Sequence, residues 1–196
     1  MLRLILVALV AGLAGTYVIR RLERRRLEHL AQIRAAFLAV LPESAAATAV
    51  LKDVHVRDTT VRLRVPQAWA EEYPDDASAR FQDRHGSGRA LRVTSSTISG
   101  STTTVADALR ARARECGPTT VETLPSGDVL LKALSEESDA SGQMACFIWM
   151  IGRLVSADRL RVATFTFTAP LATAHDVFTR NEVLRLEHEV RAAQIA

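Results

Sequence analysis

Two cysteines, five histidines and the carboxylates near them are the residues with most chemical potential in this chain. A thiol attacks as its thiolate, so a catalytic cysteine needs a cation or base beside it. Cys116 has only Arg112 and Arg114 in its neighbourhood, and Cys146 sits in an apolar run. Both fall on predicted buried stripes, where a free cysteine acts as a small core residue. Two cysteines make neither a disulfide framework nor a metal site. If the domain were extracytoplasmic, a Cys116–Cys146 bond would be feasible, provided that a helix end and a central strand touch. Asp83, His85 and Ser87 offer the residue types of a hydrolytic triad. Triads converge in space from separate elements, however, and polar residues beside Gly86 and Gly88 are ordinary turn chemistry.

The other candidates are weaker. His188 lies between Glu187 and Glu189 with no second histidine four residues away, so it does not form a zinc-helix motif. His29, His55 and His175 are scattered. The Ser/Thr run from Thr94 to Thr104 contains only Gly100 and no lysine, which excludes a phosphate loop. Glu136, Glu137 and Asp139 read as a solvated acidic hairpin tip, without the alternating ligands of a calcium loop. No catalytic, cofactor-binding or metal-ligating residue is therefore assigned, and no cofactor is expected.

The elements that position these residues follow from periodicity. Val61, Leu63 and Val65 alternate with Arg62 and Arg64, which predicts a half-buried strand ending at Pro66. Trp69 is expected in the turn that follows, covering one end of the core, and Glu71 to Asp76 as an acidic loop. Short strands are expected at Ala79 to Gln82 and Ala90 to Ser95, the latter with Leu91 and Val93 inward. Thr104 and Asp107 form a capping pattern for a helix whose stripe is Val105, Leu109, Ala113 and Cys116, stopped by Gly117 and Pro118. Strands follow at Val129 to Leu134, Met144 to Ile151 and Leu160 to Thr168. The middle one, MACFIWMI, is apolar on both faces and needs cover on both, as in a sheet sandwiched between helices. Thr173 and Asp176 open a last helix with Val183, Leu186, Val190 and Ala193 inward.

The N-terminus carries the clearest signal. Leu4 to Ile19 contains no charge, at the short end of the ~17–25 apolar residues that cross a bilayer. Arg3 and Arg20 can snorkel at its ends. Arg20, Arg21, Arg24, Arg25 and Arg26 follow it, against Arg3 alone before it, so the positive-inside rule places the C-terminal domain in the cytoplasm. The rival interpretation is a signal peptide cleaved near Gly12-Leu13-Ala14. It leaves an unusually short signal with its positive cluster on the wrong side. Leu22, Leu27, Leu30, Ile33, Phe37 and Leu41 continue a helical pattern to Pro42. The chain thus divides into an anchor over 1–20, a helical stalk and linker over 21–52, and an α+β domain over 53–196. The formal net charge is +3. The arginines around the apolar run supply it; the remainder tilts acidic, and a nucleic-acid footprint is not supported.

The order of elements, with VRLRVPQAW at Val61 to Trp69, the helix Val105 to Cys116, the meander to Thr168 and the helix near Asp176 to Ile195, resembles the PsbP-like fold. That group includes photosystem II extrinsic proteins, a nuclear Ran-binding release factor and many membrane-tethered bacterial proteins. The resemblance implies an antiparallel β-sheet sandwiched between helices and a binding role rather than catalysis, and it transfers no site residue. The expected location is a bacterial inner membrane with the domain in the cytoplasm; tethered bacterial members are often exported, so a periplasmic domain is the alternative. The expectation is a single-pass, membrane-anchored binding or assembly module, an accessory subunit of a membrane protein complex, with the lipid bilayer and a protein as partners. The alternative is a membrane-bound hydrolase using His85 or a thiol. A flat exposed apolar patch would favour the first, and a pocket lined by solvent-facing polar residues the second.

Overall fold

A computed structural model describes residues 28, 31–33, 49–83, 86–100, 104–139 and 142–196. The chain divides into two units, Met1–Ala36 and Phe37–Ala196. In the first, residue 28 and residues 31–33 are helical; the rest of the predicted stalk up to residue 48 lies outside the described residues. The apolar run from Leu4 to Ile19 and Arg20, Arg21, Arg24, Arg25 and Arg26 lie outside the described residues. Among the described residues, no helix is long and apolar enough to cross a membrane.

Among the described residues, the second unit is built on antiparallel β-structure with two α-helices. Strands β1 (Ala49–Val56), β2 (Thr59–Pro66) and β10 (Gln194–Ile195) form a small sheet in the order β1-β2-β10. Strands β3 (Trp69–Asp75), β4 (Ser78–Asp83), β5 (Ala90–Ser99), β6 (Thr119–Thr123), β7 (Val129–Asp139), β8 (Gly142–Ser156) and β9 (Arg159–Pro170) form a large one, ordered β3-β4-β5-β9-β8-β7-β6. Helix α1 (Val105–Arg112) links β5 to β6 through a short 3-10 turn, and α2 (Val177–Ala192) links β9 to β10.

The apolar strand MACFIWMI lies in β8, fully paired between β9 and β7. From Met144 to Gly152 every residue is buried, and the strand's alternation divides them between two faces. On one face, Cys146, Ile148 and Met150 join Leu131 and Ala133 of β7, Leu160 and Val162 of β9, and Leu109 and Ala113 of the α1 segment in one cluster. Gly152 lies under α1, where a Cβ would come within 2.7 Å of Val105 Cγ1. That close approach is what lets the helix seat on the strand. On the other face, Trp149 pairs with Phe165, and Phe147 with Phe167. Trp149 and Phe165 are both 0% exposed. Helix α2 and the small sheet cover this side: α2 contacts β2, β8 and β9, and β1 contacts β4 and β5. Val183, Leu186 and Val190 of α2 are buried as expected. So the second face is closed by a helix and a second sheet together, a cover that the sequence interpretation assigned to helices alone.

Several local expectations are corrected. Trp69 is not in a turn: it opens β3, is 9% exposed and stacks on Phe167 with ring centroids 6.2 Å apart. Glu71 to Asp76 is mostly strand, not loop. It is the sheet's outer strand, where Pro74 withholds no ladder hydrogen bond. Strand β1 begins at Ala49, inside the segment assigned to linker, because Val54 and Val56 find cover on the large sheet. The acidic residues Glu136 and Glu137 lie within β7, not at a hairpin tip. The last helix stops at Ala192, and its N-cap is Asp176 alone, whose carboxylate accepts from Thr179 N at 2.6 Å; the Thr173 hydroxyl donates instead to the Pro170 carbonyl. The Thr104–Asp107 cap forms as expected, with Thr104 Oγ1 accepting from Asp107 N at 3.3 Å and donating to Asp107 Oδ2 at 2.8 Å.

Candidate functional site

The cysteines lie near each other in the fold and remain free thiols. Cys146 belongs to the α1-side cluster and Cys116 packs against the same cluster from the 3-10 turn, so helix end and central strand do meet. Burial pushes the Cys146 thiol up to about 12, with the charge of Glu137 acting in the same direction. Burial also raises Cys116, helped by Glu115 and Glu137. Both environments oppose a thiolate, which is the reverse of what a nucleophile needs. Asp83 ends β4 and Ser87 lies in the following turn, where its hydroxyl accepts from Arg89 N at 3.3 Å. His85 lies outside the described residues. His55 on β1, His175 in the turn before α2 and His188 on α2 are exposed. Among the described residues, no group of three His, Cys, Asp or Glu could hold a metal ion.

Among the described residues, a partly buried network of ion pairs lies under α2. Lys132 points from β7 toward the helix, where its Nζ donates to Glu187 Oε1 at 2.9 Å; the two side chains are 3% and 6% exposed. Arg191 donates to the same oxygen from Nε at 3.2 Å and Nη2 at 3.0 Å, and reaches Glu122 of β6 with both terminal nitrogens at 2.6 and 3.1 Å. Glu187 Oε2 is buried without a hydrogen bond. This network fixes the last turns of α2 over the β6–β7 edge. Buried ion pairs add little net stability but penalise any other docking of the helix. Below it, Arg153 forks onto Asp128 at 2.9 and 2.7 Å and donates to the Ile195 carbonyl, tying β8 to β10. Those hydrogen bonds hold the Asp128 carboxyl below its ordinary value. Lys132 was the signal in the sequence: a lysine inside the apolar run VLLKAL requires a buried carboxylate.

Among the described residues, two of the exposed apolar surfaces lie at opposite ends of the large sheet. One is the tip of the β8–β9 hairpin. Leu154 and Val155 are 58% and 49% exposed there, beside a register irregularity between Leu154 and Ser156. Leu154 pairs with buried Leu160, which pairs with Ile98, so the tip extends the α1-side cluster into solvent. The other is the first turn of α2, where Val177 and Phe178 are 72% and 64% exposed. The guanidinium of Arg89 lies 4.6 Å from the Phe178 ring centroid and 3.7 Å from Asp176 Oδ2. Gly88, at φ +71, passes close to Pro170, with its Cβ position 3.2 Å from Pro170 Cγ, which brings the β4–β5 turn against this corner. Neither surface is among the sequence-based expectations. The available signal at the second was that the buried stripe of α2 runs through Thr179 and Val183, leaving Val177 and Phe178 off it.

No known protein family matches the sequence, and no curated protein matches it. Among solved structures, the chain is similar to a Bacteroides thetaiotaomicron protein at 12% identity and TM-score 0.47, covering 69% of this chain and 45% of that one. It thus spans less than half of that protein's length. It is similar to LpqN of Mycobacterium tuberculosis, a protein involved in cell envelope biogenesis, at 13% identity and TM-score 0.49, covering 76% of this chain and 92% of that one. It is also similar to the Ran-binding protein Mog1p of Saccharomyces cerevisiae, at 12% identity and TM-score 0.44, covering 75% and 96%. Likenesses at these values carry neither a family nor a site to this chain.

Proposed function

We propose that this chain is a membrane-tethered binding or assembly module, an accessory part of a membrane protein complex, with the PsbP-like resemblance of its element order as support. The observation that carries the binding role is the β8–β9 tip. Leu154 and Val155 are held out near the end of β8, which with β9 forms the longest hairpin of the sheet, at the end opposite to Ala49, the first residue of β1. A short rigid apolar ridge on an extended hairpin suits contact with a protein partner. Leu154→Glu/Val155→Glu should remove a co-purifying protein from a gentle detergent preparation while leaving the unfolding midpoint unchanged. Arg110→Glu, on the exposed side of α1, is the control. Retention of every partner by the tip variant would sink this role.

The tether rests on the uncharged run Leu4 to Ile19 and on Arg20, Arg21, Arg24, Arg25 and Arg26 behind it. By the positive-inside rule the domain lies on the cytoplasmic side. A reporter fused after Ala196 should be active only in the cytoplasm, and neutral replacements at those five arginines should weaken the preference. Activity of an export-dependent reporter on the intact chain would overturn the orientation.

A further inference from the structure

We propose that the Val177–Phe178 corner of the domain rests on the lipid bilayer itself, so that the domain has a membrane-facing end and a partner-facing end. This rests on the tether proposed above. Val177 and Phe178 are consecutive and the most exposed of the large apolar residues described. They do not hang on a loose segment. Asp176 caps the helix through Thr179 N at 2.6 Å, and Arg89 is braced between the Phe178 ring and the Asp176 carboxylate. Their exposure is therefore built into the first turn of α2, and presenting them to a partner costs little further ordering.

Strand register places this corner at the end where β1 begins. Ala49 pairs with Pro66, the last residue of β2. Gln67 and Ala68 then lead directly to Trp69, which pairs with Asp83 and stacks on Phe167. Ala90 pairs with Thr168, two residues before the end of β9 at Pro170, and the short turn from Pro170 leads into α2. Val50 and Leu51, 37% and 57% exposed, lie at that same end. The hairpin tip with Leu154 lies at the other.

The occupant is argued from what precedes Ala49 and from the corner's chemistry. In sequence, only residues 20–48 lie between the apolar run and β1, so a tethered domain remains near the bilayer surface at high effective concentration. Weak intrinsic affinity then suffices, and an aliphatic–aromatic pair beside an arginine is the composition of an interfacial anchor. Asp176 already meets the Arg89 charge, so the contact is chiefly apolar and does not depend on anionic lipid. Glu136 and Glu137 lie toward the same end, but on β7, which is separated from β5 by β9 and β8. A corner, rather than the whole end, faces the lipid.

The test uses the full chain reconstituted in phosphatidylcholine vesicles, with and without phosphatidylglycerol. An environment-sensitive fluorophore is attached at position 178 in Phe178→Cys, on a Cys116→Ala/Cys146→Ala background, and at position 154 in Leu154→Cys as the far-end control. The expected result is blue-shifted emission at 178 in both lipids, quenched several-fold more than at 154 by lipids spin-labelled near the headgroup. Phe178→Trp, quenched by brominated lipid above the contribution of Trp69 and Trp149, repeats the test without replacing either cysteine. A retained chain whose position 178 shows aqueous emission and no excess quenching overturns the corner contact and leaves the tether standing. A chain released from the vesicles by alkaline carbonate overturns the tether and the corner contact with it.

Discussion

Replacing Glu187 by Gln removes one charge and almost no volume, leaving Lys132 Nζ without the carboxylate that lies 2.9 Å away. Two unit charges at that separation attract by about 5–6 kcal/mol at an effective dielectric near 20, before desolvation is counted. Arg191 retains Glu122, so the loss falls chiefly on Lys132, whose side chain is 3% exposed. Breaking one side of such a pair costs ~3–5 kcal/mol, a large share of the ~5–15 kcal/mol that holds a domain folded. Lys132→Met/Glu187→Met removes both charges and their desolvation together, and should come within ~1 kcal/mol of the parent or exceed it. Both tryptophans lie in the large sheet, so urea unfolding of the full chain in mild detergent can be followed by their fluorescence. If Glu187→Gln unfolds at the parent midpoint, or if the double variant is as damaged as the single one, the network does not constrain α2 as argued here.

Trp149→Ala should lower stability by ~3–5 kcal/mol, because it empties the centre of the aromatic face. Trp69→Ala should cost more than a turn residue would, given its stack on Phe167; an unchanged urea midpoint for either would contradict the core assignment. Gly152→Ala sets a methyl 2.7 Å from Val105 Cγ1 and 3.3 Å from Leu109 Cδ1, and should cost ~1–3 kcal/mol by pushing α1 off β8, read as lost amide-exchange protection in that helix. Cys146 should resist alkylation in the native state near pH 8, unlike in urea. Because folding raises its pKa from 9.0 to about 12, the stability from keeping that thiol neutral is fully present below pH 9 and is lost as pH rises through that interval. Cys146→Ala should remove this part of the alkaline destabilisation, and an unaltered alkaline profile would refute it.

The elements whose periodicity is strong are readable from local pattern. The alternation at Val61, Leu63 and Val65, the Thr104 and Asp176 caps, and the doubly apolar run from Met144 to Ile151 each depend on neighbours within a few residues. For that reason β2, α1, α2 and β8 were legible. Strand β3 was not, because Glu71, Glu72 and Asp75 face solvent on an outer strand and their composition is that of a loop. Strands β1 and β10 were not, because pairing with β2, not local propensity, makes them strands. The candidate surfaces follow the same division. A sequence shows that Leu154, Val155, Val177 and Phe178 are apolar, but their exposure depends on what packs over them. It takes the folded chain to make the β8–β9 hairpin outrun the α1-side cluster, to leave the first turn of α2 bare beside its buried stripe, and to bring Lys132 and Glu187, 55 residues apart, into one buried contact. Burial and ion pairing belong to residues distant in the chain, and no local pattern fixes which of them meet.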